Sequence, residues 1–173
     1  MNAHILQDEE TKDVDIEMSD GVLRAHSLVL CASSNAIKGM LRNGAMAKEV
    51  QKRLSWQEQN LEVVRLFVRL LYMGCYCDLE RDLCVCKDVS TASEEEVPLR
   101  ILLGAFSIAK IYLVFPLLGV LVQALKLRLC AKSFDRICAA AIQLDSTPLR
   151  FHCLEYAKQQ DFRLHWTVSY THL

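Results

Sequence analysis

The chain has 173 residues, of which 52% are hydrophobic, and its 20 lysine and arginine residues nearly balance its 21 aspartate and glutamate residues. This composition supports a packed core of ordinary domain size and argues against wholesale disorder. The formal net charge of −1 argues against direct binding to nucleic acid, because neutralising phosphates needs a basic excess.

The N-terminal segment and the cysteines indicate the compartment. Residues 1–12 are polar and acidic, and they lack the charged start and apolar run of a secretory signal. We therefore expect a cytoplasmic or nuclear protein whose eight cysteines stay reduced.

The stretch from Asp13 to Leu30 predicts a β-hairpin. Apolar and polar residues alternate from Asp13 to Ser19, the period of a half-buried strand. The dipeptide Asp20-Gly21 readily adopts the positive φ values of a tight turn. A second strand is expected after the turn, with apolar residues Leu23, Ala25, Leu28, Val29 and Leu30.

Helical spacing follows the hairpin. A short helix is predicted first, with one apolar face made by Ile37, Met40 and Leu41. A short third strand is expected within residues 45–60. The clearest helix runs from Leu61 to Met73, with Asn60 as its cap and Gly74 as its stop.

The second half of the chain predicts a polar loop and then four helices. Residues 75–98 contain four cysteines and the run Glu94 to Glu96, which is typical of a solvated loop. Residues 99–129 are strongly apolar, and Pro116 divides them into helices near 99–113 and 116–131. Two shorter helices are predicted after Ser133, joined at residues 145–148.

The order of several motifs resembles the opening of the BTB/POZ domain. The matching residues are Asp13-Val14, Asp20-Gly21, Ala25-His26-Ser27-Leu28-Val29-Leu30, Ser33 and Met40-Leu41. Two later segments agree: Leu70–Gly74 is similar to the family's Ile-Tyr-Thr-Gly ending, and Ile108–Tyr112 is similar to its Ala-Asp-Lys-Tyr segment. The resemblance implies an α+β fold, with a small sheet capped by a cluster of helices.

The resemblance also implies a domain layout. Residues 1–10 would form an N-terminal arm and residues 11–132 the BTB/POZ domain, in which 75–98 is an inserted acidic, cysteine-containing loop like that of some substrate-adaptor members. Residues 133–160 would form a helical extension. Residues 161–173 would be an irregular tail, and the ending VSYTHL is interpreted as translated, non-native sequence.

The functional implication is a protein-interaction module that forms a homodimer. In the family, the first strand, the first helix and the helix-pair region mediate self-association. We expect exposed apolar side chains on the first strand and the short helix to form this interface. The residues assigned to the dimer interface are Val14, Ile16, Ile37, Met40 and Leu41.

Many family members also dock a cullin scaffold and act as substrate adaptors of ubiquitin ligases. Their docking motif, an apolar residue, any residue and Glu, lies between the first helix and the third strand. Met46 fits the apolar position, but Lys48 stands where the Glu belongs and Glu49 comes one place late. The predicted cullin contacts are Met46, Glu49, Tyr112 and Leu117. The alternative is a dimerisation domain with a transcriptional or scaffold role and no cullin binding.

Two other hypotheses are a zinc site and a membrane-spanning helix. Four thiolates at Cys75, Cys77, Cys84 and Cys86 could wrap one tetrahedral zinc, although a one-residue gap points neighbouring side chains apart in an extended backbone. Residues 101–125 hold a single charge, Lys110, as a membrane span would. Pro116 and a charge near the bilayer centre favour two buried core helices instead.

An enzyme is the least supported class. His26 could be combined with Ser27 or Ser33 and an aspartate into a triad, but the sequence has no nucleophile elbow, Walker loop, HExxH motif or glycine-rich dinucleotide turn. We expect His26 to be a hydrogen-bonded core histidine, and the resemblance makes it and Asp15 structural. We expect no catalytic residue and no cofactor.

Overall fold

The computed structural model describes residues 8–44, 52–73 and 97–159. The chain divides into two compact units between Arg128 and Leu129. The predicted Met46 and Glu49 contacts and the four candidate zinc ligands, Cys75, Cys77, Cys84 and Cys86, lie outside the described residues.

A three-stranded sheet forms one part of the first unit. Strand β1 (Val14–Met18) lies between β2 (Gly21–Ala25) and β3 (Lys52–Ser55). β1 pairs antiparallel with β2, with Ile16 opposite Leu23, and parallel with β3, with Ile16 opposite Leu54. The predicted first strand and third strand are therefore confirmed. The tight turn lies at Ser19-Asp20 and not at Asp20-Gly21, because Gly21 already belongs to β2 and pairs with Met18. The predicted positive φ values at Asp20 and Gly21 are wrong.

The described residues of this unit also form five helices, two of which lie between β2 and β3 in the chain. They are α1 (Ser27–Ser33), α2 (Asn35–Gly44), α3 (Leu61–Met73), α4 (Leu99–Ile111) and α5 (Phe115–Leu127). α3 packs against β2, α1 and α4, and α4 packs against α5. The predicted bounds of α3 are confirmed, and Asn60 caps it by accepting a hydrogen bond from the Glu62 amide at 2.9 Å.

The second predicted strand is wrong beyond Ala25, because Ser27 begins α1. The Asp13 carboxylate accepts hydrogen bonds from the Ser27 amide at 2.7 Å and from the Ser27 hydroxyl at 2.6 Å. A carboxylate that accepts from a first-turn amide stabilises a helix start. His26 consequently lies at the junction between β2 and α1, and its side chain is buried.

An apolar core joins the sheet to the helices. Phe67 on α3 and Phe106 on α4 are almost completely buried, as are Ile16 of β1 and Leu30 of α1. α3 and α4 approach closely at Gly104, where an added Cβ would come within 2.8 Å of the Val63 methyl groups. Any side chain at this position would force α3 and α4 apart.

The second unit contains a helical hairpin. Helices α6 (Phe134–Gln143) and α7 (Thr147–Gln159) pack against each other. Their buried faces are made by Ile137 and Ala141 on α6 and by Leu149, Cys153 and Ala157 on α7. The predicted pair of helices joined at residues 145–148 is confirmed.

Candidate protein-interaction surface

The turn between α4 and α5 exposes three large apolar side chains. Ile111, Leu113 and Phe115 are 55%, 52% and 69% exposed, and we refer to them as the turn cluster. Exposed and less exposed side chains alternate through the turn, since Tyr112 is half-buried and Val114 is buried between the three exposed residues. Three large apolar residues exposed within five positions are unusual for a surface that contacts only water.

Hydrogen bonds fix the shape of this turn. Leu113 has a φ of 55°, a conformation that costs about 1 kcal/mol for a residue with a Cβ. The Val114 amide donates to the Ala109 carbonyl at 2.8 Å, and the Leu113 amide donates to the Lys110 carbonyl at 3.3 Å. The turn cluster is therefore presented on a constrained backbone and not on a loose loop.

Ser34, just before α2, and Trp56, just after β3, contact Tyr112 and hold the turn in place. The Ser34 hydroxyl donates to the Tyr112 carbonyl at 2.5 Å and accepts from the Ile37 amide at 3.1 Å, so one side chain caps α2 and ties it to the turn. The Tyr112 ring stacks on Trp56, with 4.8 Å between ring centroids. Among the described residues, the buried Trp56 indole nitrogen has no hydrogen-bond acceptor.

The predicted cullin contacts divide into surface and core. Tyr112 is half-buried beside the turn cluster, and desolvation, together with the charge of Glu58, raises the pKa of its phenol. Leu117 is fully buried on α5, so its side chain offers no surface to a partner. Sequence reasoning missed the turn cluster because its residues read as part of an apolar helical run.

The predicted dimer residues are mostly core. The expectation that Val14 and Ile16 are exposed is wrong, because β1 is the central strand and both side chains are fully buried. Ile37 and Leu41 are also buried, whereas Met40 is 39% exposed. The large apolar residue that stands out on α1 is Leu28, at 79% exposed, and no periodic pattern singled it out.

A polar network holds the junction between β2 and α1. The His26 amide donates to the Tyr72 hydroxyl at 2.8 Å, and that hydroxyl lies 2.6 Å from His26 Nδ1. His26 Nε2 lies 2.8 Å from the Thr11 hydroxyl, which donates to Asp8. Because the Thr11 hydroxyl donates to Asp8, it can accept from Nε2–H, and Nδ1 can then accept from the Tyr72 hydroxyl. Desolvation raises the pKa of Tyr72 above its usual value.

Ser27 belongs to the carboxylate side of this junction network. Lys52 Nζ lies 2.9 Å from Asp13 and 2.8 Å from the Ser27 hydroxyl. Desolvation favours the neutral acid, but the hydrogen bonds from Ser27 and the charge of Lys52 outweigh it and lower the pKa of Asp13 to about 2. The Ser33 hydroxyl donates to the carbonyls of its own helix. His26 therefore activates neither serine, and the triad considered above is not assembled.

The sequence also raised a membrane span and a zinc site, and the four candidate zinc ligands lie outside the described residues. Within residues 8–44, 52–73 and 97–159, no helix combines the length and apolarity needed to cross a bilayer. In that same part of the chain, no group of three histidine, cysteine or acidic side chains could hold a metal ion.

Comparison with protein families identifies the fold. Residues 3–83 match the family model of the BTB/POZ domain, and the small sheet with its surrounding helices agrees with the α+β fold that the sequence predicted. A comparison with curated proteins gave no match. The chain contains a BTB/POZ domain, a protein-interaction module, matched over residues 3–83.

Proposed function

We propose that this protein docks a cullin scaffold through the turn cluster and self-associates through α1 and α2, and so serves as a substrate adaptor of a ubiquitin ligase. The observation that carries the docking proposal is the exposure of Ile111, Leu113 and Phe115 on a constrained turn beside Tyr112. Partner surfaces bind most strongly through a few apolar and aromatic anchors held in a rigid frame.

The turn cluster supplies what Leu117 cannot. Fully burying an exposed apolar side chain of this size contributes about 1.5–3 kcal/mol. Because Ile111, Leu113 and Phe115 are 55%, 52% and 69% exposed, covering each of them contributes about 1–2 kcal/mol toward the costs of association. Tyr112 adds a hydroxyl at the edge of the cluster. Met46 and Glu49 remain predicted contacts. Lys48 still differs from the family's docking motif, which has Glu at this position.

Calorimetric titration with the amino-terminal region of the third cullin tests the docking. We expect heat of binding for the full chain at tens of micromolar. Phe115→Asp should weaken the affinity at least tenfold, which is a loss of about 1.4 kcal/mol or more of binding free energy. Phe151→Asp is the matched control, since Phe151 is a similarly exposed phenylalanine in the second unit. Met46→Asp examines the sequence motif separately.

The outcomes separate the two candidate roles. No heat from the unaltered chain would reject the adaptor role and leave a dimerisation domain without cullin binding. Binding that Phe115→Asp leaves unchanged would keep the adaptor role but reject the turn cluster as its surface.

Self-association is proposed through a revised set of residues. Leu28 on α1 and Met40 on α2 are exposed apolar side chains on two helices that pack together, whereas the other assigned dimer residues are buried. A two-fold pairing of these helices would cover both residues on each copy. Light scattering at micromolar concentration should give twice the chain mass of 19.7 kDa, and Leu28→Asp should return it to the monomer value. A monomer mass for the unaltered chain would rule out the dimer.

A further inference from the structure

Two contacts fix how α6 and α7 face each other. The rings of Phe134 and Tyr156 stack with 5.8 Å between centroids, near the start of α6 and the end of α7. Further along α6, the Arg150 side chain donates from Nε to the Ala141 carbonyl at 3.2 Å. The two helices therefore run antiparallel in a defined register, since these contacts lie on either side of the central turns.

This register places Cys138 opposite Cys153. Cys138 follows Phe134 by one turn, and Cys153 precedes Tyr156 by nearly one turn, so both lie between the two fixed contacts. Cys138 shares one face of α6 with Phe134 and Ala141, and Cys153 shares one face of α7 with Arg150 and Tyr156. The two thiols therefore face each other across the hairpin. Cys153 is 2% exposed on the buried face of α7, whereas Cys138 is half-buried and can be reached from solvent.

We propose that Cys138 and Cys153 form a modification site, a disulfide that links α6 to α7 when the protein meets a peroxide. In the first step, the sulfur of Cys138 attacks the O–O bond of hydrogen peroxide and becomes a sulfenic acid, and one water leaves. In the second step, the sulfur of Cys153 attacks this sulfenic sulfur, the S–O bond breaks, and a second water leaves. The two thiols are together oxidised by two electrons, and one peroxide is reduced to two waters.

The environments of the two sulfurs assign their roles. Burial and the neighbouring Cys138 raise the pKa of Cys153 to about 11, so this thiol is a poor first attacker. Cys138 receives the oxidant because it is the accessible member of the pair. The bond then closes the loop of residues 139–152, which restricts the unfolded ensemble of the hairpin.

An exposed cysteine in the same unit provides an internal comparison. Hydrogen bonds from Ser133 lower the pKa of the exposed Cys130 thiol, so Cys130 should react readily with peroxide. It lies before the start of α6, outside the register that pairs the other two thiols. Reactivity alone would therefore favour Cys130, whereas geometry favours the pair Cys138 and Cys153.

Peptide mapping of the full chain tests the site. Dilute protein is treated with hydrogen peroxide, remaining thiols are alkylated under denaturing conditions, and the digest is analysed by mass spectrometry without reduction. We expect a linked peptide pair containing Cys138 and Cys153 in the unaltered chain and in Cys130→Ser. Cys138→Ser should abolish this pair, and so should Cys153→Ala, which keeps the buried position apolar.

Hydrogen exchange provides a second readout. Peroxide should slow exchange across α6 and α7 in the unaltered chain but not in Cys138→Ser, whose half-exposed position tolerates a hydroxyl. If Cys153 is still recovered as a free, alkylated thiol after excess peroxide, the proposal is overturned, whatever happens to the other cysteines. A pairing of Cys138 with Cys130 in place of Cys153 would overturn it equally.

Discussion

The junction between β2 and α1 and the turn between α4 and α5 both connect two elements, but different groups hold the backbone in each. At the junction, a histidine, a tyrosine, a serine and a carboxylate hold the backbone through hydrogen bonds, and the histidine and the tyrosine are buried. At the turn, backbone hydrogen bonds hold the chain, and the side chains of the turn cluster face outward. Residues typical of catalysis therefore carry structure here, while ordinary aliphatic and aromatic residues form the candidate binding surface.

The largest expected effect separates buried from exposed aromatic residues. Phe67 is fully buried and packs its ring against Trp56 at 5.9 Å between centroids, so Phe67→Ala should lower the free energy of unfolding by about 3–5 kcal/mol. Phe115→Ala at the turn should change it by less than about 0.5 kcal/mol. Denaturant unfolding measures both, and a loss below about 1 kcal/mol for Phe67→Ala would contradict this assignment of the core.

A smaller effect tests whether the junction network stabilises the fold. Tyr72→Phe removes the hydroxyl that serves both the His26 amide and His26 Nδ1, and leaving these groups unpaired should cost about 1–3 kcal/mol. Tyr156→Phe is the control, because Tyr156 is half-buried in the second unit and makes a ring contact. Equal losses for the two variants would show that the buried network has no special role.

The sequence predicts the fold well where the determinants are local. β1 follows from its alternation, and α3 follows from its apolar face and from the cap at Asn60. The error after Ala25 has a long-range cause: Leu28 to Leu30 read as a strand, but the carboxylate of Asp13 begins a helix at Ser27. No local pattern contains that contact.

The surface was harder to predict than the fold, because periodicity distinguishes the two faces of an element without saying which elements cover them. The sequence predicts an exposed surface at Val14 and Ile16, but β1 is the central strand and both residues belong to the core. The turn cluster shows the opposite error, because its apolar residues are predicted to be part of a buried helical run but are exposed. Pro116 marks the break between two helices, but no local pattern indicates that Leu113 is exposed or that its φ is positive.

Acid should weaken the junction through Asp13. The pKa of Asp13 is about 2 in the fold against an ordinary value of 3.8, so the unfolded chain binds its proton first as pH falls. The stabilisation is thus fully present above pH 3.8 and is lost as pH falls through about 2. Asp13→Asn should be less stable than the unaltered chain at neutral pH, and the difference should shrink in acid. Urea unfolding across this range would contradict the assignment if the difference were constant.

The smallest effect on stability is expected at the turn, where it sharpens the contrast with the junction. Asparagine adopts positive φ more readily than leucine, so Leu113→Asn should relieve local strain without exposing new core, since Leu113 is 52% exposed already. The free energy of unfolding should stay the same or rise by up to about 1 kcal/mol. Docking to the cullin should nevertheless weaken, because the variant removes one apolar anchor of the turn cluster while it keeps the backbone shape.

Unfolding and titration on the same preparation measure the stability and the cullin affinity of this variant. Leu113→Ala, which shortens the side chain without relieving the strain, is the control. If Leu113→Asn is clearly destabilised, leucine packs at this position and is not presented for binding; if its affinity is unchanged, the docking surface lies elsewhere on the domain.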